Sequence, residues 1–407
     1  MLNKITKGCF ILLATIPLLK ENFNSMIIIL CVLFTLISFF TKKEKVMPKK
    51  STFLLMAPFF MFLIYEIFSG SMNDKTISKC LPFLIFPIIY DIGSSNLSID
   101  KDLRRKTLFA FQISTLLQSI IYVVFFLINN PINKFFASDN NIPFFREYVA
   151  GHYWFNIHPT YFSSFLLVSF TVSLIALFYN KEKKLFDIIN SFLMVFFILL
   201  FASRMIFILM LLTFLGVLGL RILKANRKQK TIIVSSSIVI GLLLIYPFQK
   251  MLGKRLKEIT TEINKPVSGE YYNSTNTRVV IFQCTYSLLK NLPFFGYGDS
   301  LQKELDTCYK ENYPNSVFYK KQQFNTHNYY LHLIGYGGWL FFVVFMLFLF
   351  YVFKRIKGSV LGIILVFQFL IINLTENYLS RHYGIVLFCF ITSLLIFTDV
   401  KNKKITV

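Results

Sequence analysis

Residues 189–220 read INSFLMVFFILLFASRMIFILMLLTFLGVLGL, an apolar run whose only charged residue is Arg204. Because an α-helix rises about 1.5 Å per residue, one helix through this run would far exceed the roughly 30 Å hydrocarbon core of a bilayer. The run therefore predicts a hairpin or a broken pair of membrane helices that meet at Ser203 and Arg204. An arginine so placed is costly unless it faces a cavity or a partner, which makes Arg204 a candidate functional residue. The alternatives are a structural ion pair and a turn that faces lipid headgroups.

The composition of the whole chain is that of an integral membrane protein. Of 407 residues, 55% are hydrophobic and 49 are Phe, and the mean hydropathy is +0.59. Such a chain has too little polar surface for a soluble globule. Apolar runs recur along it, which predicts an all-α protein of about twelve transmembrane helices. The predicted spans are 5–19, 25–40, 51–68, 78–94, 106–128, 158–179, 185–202, 204–221, 231–249, 327–353, 359–375 and 383–398.

The net charge of +23 reflects membrane topology, because 25 of the 43 Lys and Arg residues fall in connections that the twelve-helix arrangement places on one side. By the positive-inside rule that side is cytoplasmic and holds both termini. No nucleic-acid partner is therefore expected. The basic segments are 4–7, 42–50, 101–106, 181–184, 221–230, 354–357 and 401–404.

Two outer connections are long, 129–157 and 250–326. Long connections in compact proteins are usually functional. We expect a single polytopic membrane domain over 1–407, in which 250–326, between the ninth and tenth spans, is a periplasmic catalytic loop with short helices of its own.

Arg278 is the first candidate in that loop. The capping residue types that precede it predict that it stands at the N-terminus of a helix on the membrane surface, where free N–H groups and a guanidinium together bind anions. The alternative is that Arg278 extends to phospholipid headgroups. The residues concerned are Ser274, Thr275, Asn276 and Thr277 before Arg278, and Val279, Phe282, Tyr286 and Leu289 at helical spacing after it.

His327 is the second candidate, in the stretch Thr326-His327-Asn328-Tyr329-Tyr330-Leu331, where the loop re-enters the membrane. An imidazole at this boundary suits proton transfer near pH 7. The alternative is an interfacial histidine without a role. Further candidates for substrate binding are Asn328, His158, Tyr161, Tyr330 and Glu376, for which packing or a polar rim is the competing interpretation.

The sequence predicts no metal site and no cofactor, because CxxC, HExxH and Walker motifs are absent from it. Cys284 and Cys308 share the outer loop and could pair, although two cysteines do not decide this. Gly335, Gly337 and Gly338 predict a bend or close packing in a helix rather than a nucleotide loop.

The order of these motifs resembles the O-antigen ligase and Wzy polymerase superfamily over residues 150–380. The resemblance rests on Arg278-x-x-Ile281-Phe282, Leu292-Pro293-Phe294-Phe295-Gly296-Tyr297-Gly298, His327-Asn328-Tyr329-Tyr330-Leu331, Ser203-Arg204 and His158-Pro159-Thr160-Tyr161.

The resemblance implies a metal-independent, inverting glycosyltransferase of the GT-C type in the bacterial inner membrane, with its active site facing the periplasm. The implied donor is a glycan on undecaprenyl diphosphate, and in a ligase the acceptor is lipid A-core. Arg278 and Arg204 would bind the donor diphosphate, and His327 would act at the acceptor hydroxyl as base or positioner.

Two alternatives stay open. A polymerase uses the same chemistry with a second lipid-linked repeat unit as acceptor. A transporter or flippase of lipid-linked sugars would also have about twelve helices, but such proteins usually contain internal repeats. No match between the two halves is visible in this sequence, and the long loop favours catalysis.

Overall fold

The structure is a computed structural model, and it describes residues 2–41, 47–70, 73–96, 99–135, 137–139, 142–151, 157–179, 185–227, 230–231, 274–314, 316, 319 and 323–398. Residues 232–249 of the predicted ninth span and residues 250–273 of the predicted outer loop lie outside these ranges.

The described chain is helical, which confirms the all-α class, apart from one antiparallel pair of two-residue strands, β1 (Ser138–Asp139) and β2 (Ile142–Pro143). The first ten helices are α1 (Leu2–Leu12), α2 (Glu21–Phe40), α3 (Lys50–Leu55), α4 (Ala57–Ser69), α5 (Asp74–Asn96), α6 (Lys101–Asn129), α7 (Phe144–Gly151), α8 (Pro159–Tyr179), α9 (Leu185–Phe201) and α10 (Arg204–Lys224). They are followed by α11 (Ser274–Lys290), α12 (Leu301–Asn312), α13 (Tyr329–Ile356), α14 (Val360–Thr375) and α15 (His382–Thr398). Short 3-10 turns cover Leu13–Leu18, Ile132–Lys134, Gly298–Ser300 and Tyr378–Ser380.

Six described helices are long and apolar enough to cross a membrane, namely Glu21–Phe40, Asp74–Ser95, Lys101–Asn129, Pro159–Tyr179, Arg204–Leu223 and Tyr329–Ile356. Four further apolar helices are shorter, Ala57–Ser69, Leu185–Phe201, Val360–Thr375 and His382–Thr398. The predicted count of about twelve spans is therefore not confirmed. Two predicted spans are interrupted near prolines, which lack the N–H group of a regular helical hydrogen bond: α1 passes into a 3-10 turn that contains Pro17, and α3 ends at Leu55, shortly before Pro58.

Helix α8 lies inside the bundle, because all of its residues from Pro159 to Ile175 except Tyr161 are buried, around its whole circumference. It carries small hydroxyl residues that let neighbouring helices approach closely and receive hydrogen bonds from them. Gln112 of α6 and Asn190 of α9 both donate to Ser173 Oγ, at 2.6 and 2.8 Å. Gln368 of α14 donates to Thr171 Oγ1 of α8 at 2.8 Å. Polar contacts thus fix how α6, α9 and α14 sit on α8.

The predicted break at Ser203 and Arg204 is present. Helix α9 ends at Phe201, α10 begins at Arg204, and both helices pack against α8. Ala202 has φ +48°, a left-handed conformation that is uncommon for a residue with a Cβ atom. Ser203 is extended and its carbonyl accepts from the Phe207 N–H at 3.0 Å, the first hydrogen bond of α10. The break therefore places Arg204 in the first turn of α10.

Helix α13 bends at Gly337 and Gly338, as the glycines predicted, and Gly338 has φ +73°. The bend admits the turn that precedes α12. A Cβ atom on Gly338 would lie 2.3 Å from the Phe294 carbonyl oxygen, and the Tyr297 N–H donates to the Gly335 carbonyl at 2.8 Å. Only glycine permits this approach, so the bend attaches the loop region to a membrane helix.

A disulfide joins Cys284 of α11 to Cys308 of α12, with Cα atoms 5.8 Å apart. It answers the question that the sequence left open and holds the two short helices of the loop side by side. On α11, Val280 and Ile281 are buried, whereas Phe282 and Tyr286 on the opposite face are exposed. This helix therefore has one face packed on the bundle and one apolar face turned outward.

Candidate active site

A cavity of about 700 Å³ lies where helix ends and connections from distant parts of the chain meet. Its lining comes from the start of α2, from α7, the start of α8, the α9–α10 break, the first turns of α11, residues 323–327 and the connection from α14 to α15. The charged and titratable side chains among the lining residues are Glu21, Arg146, Glu147, His158, Tyr161, Arg204, Arg278, His327, Glu376, Arg381 and Tyr383. The fold thus collects four arginines, two histidines and three carboxylates around one space.

Arg278, Glu376 and His327 are in direct contact within this lining. Arg278 Nη2 lies 3.2 Å from Glu376 Oε1, and His327 Nδ1 lies 3.2 Å from Glu376 Oε2. The Glu376 side chain is 16% exposed, against 47% for Arg278 and 27% for His327. The imidazole N–H is not aligned for a regular hydrogen bond, so we describe this contact as a close polar pair. One carboxylate therefore joins two residues that the sequence singled out separately.

His327 has a constrained backbone. Its φ of +43° is in the left-handed region, which costs a residue with a Cβ atom free energy that the surroundings must supply. Its own N–H donates to Asn325 Oδ1 at 2.9 Å, and the buried Thr326 hydroxyl lies 3.0 Å from Asn377 Oδ1. Strain of this kind is typical of functional sites, because it persists only where a defined orientation is maintained.

The charge state of Glu376 follows from its neighbours. Burial raises the pKa of this carboxyl, but the contact with His327 and the electrostatic interactions with His327, Arg278 and His158 together outweigh burial and hold the pKa below its ordinary value of 4.5. Glu376 is therefore ionised at neutral pH.

This lowered pKa predicts a pH-dependent contribution to stability. A carboxyl whose pKa is lower in the folded than in the unfolded state stabilises the fold above the unfolded value, and the contribution is lost as the pH falls through the folded value. Glu376→Gln should lower the melting temperature of the purified protein at pH 7, and the difference from wild type should shrink once the pH falls below 4.5. Glu311→Gln, on the exposed end of α12, is the matched control. A difference for Glu376→Gln that stays constant down to pH 3 would contradict this account.

Arg204 lines the same cavity from the start of α10. The adjacent break is held by Arg146 of α7, a residue that the sequence did not single out, whose Nη1 donates to the Phe201 carbonyl at 2.7 Å. Arg146 also lines the cavity. The signal that could have found it is an arginine next to two phenylalanines in the long 129–157 connection, but that pattern does not reveal its partner.

His158 and Tyr161 line the cavity at the start of α8. Although the His158 ring is accessible from the cavity, protein surrounds it closely enough that desolvation, together with the charge of Arg146, lowers its pKa to about 4. The ring is therefore neutral at pH 7. Tyr161 stacks on Tyr378 with ring centroids 5.3 Å apart, which fixes its position.

Asn328 and Tyr330 do not belong to the cavity lining. The Asn328 side chain caps α13 by accepting from the Tyr330 and Leu331 N–H groups, and its amide donates to the Leu374 carbonyl at 3.1 Å. The Tyr330 hydroxyl donates to the Leu370 carbonyl at 3.0 Å. Both side chains therefore hold α13 against α14, next to His327.

The predicted place of Arg278 at a helix N-terminus is wrong. Ser274, Thr275, Asn276 and Thr277 are themselves helical, so Arg278 lies in the second turn of α11. Its own N–H is within the helical hydrogen-bonding pattern, and the N–H groups that lack an acceptor within the helix belong to the preceding turn. Arg278 lines the cavity together with Thr277 of the first turn.

The sequence that forms part of this site is similar to a known family. A family model described as O-antigen ligase matches residues 189–346. This match supports the resemblance of the chain to the O-antigen ligase and Wzy polymerase superfamily. The matched region begins in α9 and ends in α13, so it includes Arg204, Arg278 and His327, whereas Arg146, His158, Glu376 and Arg381 lie outside it. No curated protein matches the chain.

The similarity to the O-antigen ligase family agrees with the apolar helices that are long enough to cross a membrane. The similarity and these helices together support an inner-membrane protein of the O-antigen ligase or polymerase type.

Proposed function

We propose that this protein transfers a glycan from undecaprenyl diphosphate to an acceptor hydroxyl at the periplasmic face of the inner membrane, most specifically by ligating O-antigen to lipid A-core. One observation carries the proposal: Arg204, Arg278 and the His327–Glu376 pair line a single cavity of about 700 Å³. These are the groups needed to stabilise a leaving diphosphate and to receive a proton from an incoming hydroxyl.

In this proposal, Arg278 and Arg204 bind the diphosphate of the donor. When the bond between the sugar and the diphosphate breaks, negative charge develops on the departing lipid diphosphate. Guanidinium groups bind phosphate oxygens in a bidentate manner and stay charged at all relevant pH values. Arg278 and Arg204 can therefore stabilise the leaving group without a metal ion, in the way that fixed charges stabilise transition states in general.

His327, oriented by Glu376, acts on the hydroxyl of the acceptor. An ionised carboxylate 3.2 Å from Nδ1 favours the tautomer that carries its proton on that nitrogen. The other ring nitrogen is then an acceptor, suited to take the proton of an attacking hydroxyl or to position it. Direct displacement by that hydroxyl would invert the configuration at the anomeric carbon. His158, neutral at pH 7, and Tyr161 would lie along the acceptor side.

The orientation in the membrane is part of the proposal. Every segment that lines the cavity belongs to a connection that the charge pattern assigns to the outer side, or to the adjoining end of a predicted span. Both termini would then be cytoplasmic. We treat residues 1–407 as one polytopic domain in which 250–326 is the catalytic loop, and the described part of that loop supplies Thr277, Arg278 and Asn325 to the cavity.

The alternative of a polymerase shares all of these groups, with a second lipid-linked repeat unit as acceptor. A flippase for lipid-linked sugars is the alternative from another class. The contact of His327 with Glu376 argues against it, because transport of an anionic lipid requires cations but no proton acceptor.

A gene deletion separates these functions through the lipopolysaccharide that remains. Core without any polymer would identify a ligase, and core with a single repeat unit a polymerase. Normal lipopolysaccharide with an altered capsule or glycoprotein would point to another acceptor. Lipid-linked donor that stays on the cytoplasmic side of the membrane would overturn the enzymatic proposal in favour of a flippase.

A further inference from the structure

Two of the four cavity arginines, Arg146 and Arg381, are not used in the transfer step proposed above, and Arg146 also donates from Nη1 to the Phe201 carbonyl. Arg146 comes from α7, before α8, and Arg381 follows the 3-10 turn at Tyr378–Ser380. They are far apart in the chain, yet the fold directs both to the cavity that holds Arg278 and Arg204. Two further positive charges in the lining of one cavity would suit the binding of an anion in addition to the donor diphosphate.

Arg381 is the more informative of the two. Arg381 is exposed and lines the cavity, and within the described chain it forms no ion pair. Arg381 therefore brings to the cavity lining a positive charge that no carboxylate of the described chain pairs with, which favours an anionic ligand there. By contrast, Arg278 already has the Glu376 carboxylate at 3.2 Å.

The two additional arginines and the Glu376–His327 pair both affect the pKa of His158. Apart from burial, the pKa of this ring is lowered by Arg146, His327 and Arg381 and raised by Glu376. The neutral ring therefore lies within reach of the Glu376–His327 pair and of the two additional arginines. If an anionic group of a ligand bound at Arg381 and the ligand extended past His158, a hydroxyl elsewhere on the same ligand would lie close to His327.

Two carboxylates of the lining besides Glu376 indicate which chemical groups a bound anionic ligand would also carry. Glu21 and Glu147 line the cavity, and neither forms an ion pair among the described residues. Carboxylates that are not bound to cations are good acceptors for sugar hydroxyls. A lining with arginines and carboxylates side by side fits a sugar that also bears a phosphate group.

We infer that Arg381 and Arg146 form a second anion subsite, which binds a phosphate group of the acceptor glycolipid while Arg278 and Arg204 hold the donor diphosphate. The subsite would orient the acceptor so that its hydroxyl meets His327. The acceptor assignment rests on the proposed function. The phosphate could belong to lipid A-core or to the diphosphate of a second lipid-linked repeat unit, and the test distinguishes these two sources.

The direct test counts bound inorganic pyrophosphate by calorimetry on the full-length protein in lipid nanodiscs. Wild type should bind two per chain, and Arg381→Gln and Arg278→Gln should each bind one. Arg105→Gln is the matched control, because Arg105 is exposed at the start of α6, outside the cavity lining, and should leave both sites intact. A single site in wild type, two sites in Arg381→Gln, or loss of both sites in Arg381→Gln with an unchanged melting temperature would each overturn the inference.

The kinetic test uses purified donor with either phosphorylated core or lipid-linked repeat unit as acceptor. Arg381→Gln should raise KM about 10- to 100-fold for the acceptor whose phosphate occupies the subsite, with the donor KM unchanged, since a charge-assisted hydrogen bond has about that effect. Enzymatically dephosphorylated core should show no such difference between variants. Equal changes in the KM of donor and acceptor would overturn the acceptor assignment. Absence of transfer to every acceptor would instead contradict the proposed function, while the pyrophosphate count still decides the second subsite.

Discussion

Replacing Arg278 with alanine is expected to lower the rate of glycan transfer by about 10²- to 10³-fold, the usual effect of removing one fixed group that stabilises transition-state charge. The guanidinium lies 3.2 Å from Glu376 and its side chain is 47% exposed toward the cavity, so it can contact a bound diphosphate while it keeps its partner. The substitution also removes the cation next to Glu376. The loss should appear in transfer of donor glycan in purified membranes, with lipid-linked donor accumulating.

Matched variants separate this role from a general loss of structure. Lys290→Ala changes a cation at the far end of the same helix, outside the cavity lining, and should leave transfer unchanged. Arg278→Lys should retain part of the rate, because lysine keeps the charge but not the bidentate geometry. If Arg278→Ala transfers glycan at the wild-type rate, the donor site lies elsewhere.

Features of the site that depend on one stretch of sequence were predictable, and those that depend on long-range packing were not. A single charge within an apolar run located the α9–α10 break, and the change from polar to apolar residues located His327. The contact of Arg146 with the Phe201 carbonyl spans 55 residues, and no local pattern predicts it. The Glu376 carboxylate likewise gains its role only because α14 ends beside His327.

Helix ends were the least predictable part of the fold. Ser, Thr and Asn can precede a helix or occupy its first turn. Here Ser274 to Thr277 form the first turn of α11, so Arg278 lies one turn further from the start of the helix than predicted. Hydropathy alone also misjudged helix length. The predicted 51–68 span is two helices divided at Met56, because Pro58 fits the first turn of a new helix and not the interior of a continuous one.

Replacing His327 should lower glycan transfer by about 10²- to 10⁴-fold, the usual contribution of a general base. The choice of substitution matters because His327 has φ +43°, where alanine is strained and asparagine is better tolerated. His327→Asn keeps the backbone conformation and removes the proton acceptor, so it tests the chemistry more cleanly than His327→Ala. Transfer by both variants should be measured beside their melting temperatures.

The partner of His327 provides the second half of this test. If Glu376 acts by orienting the imidazole, Glu376→Gln should lower transfer on its own but add little in the His327→Asn background, because two residues that act as a unit are not additive. Independent effects that multiply in the double variant would show that Glu376 serves another function, such as holding Arg278. Wild-type transfer by His327→Asn would remove His327 from the acceptor side altogether and leave the neutral imidazole of His158, in the same cavity lining, as the group next in line to receive the proton.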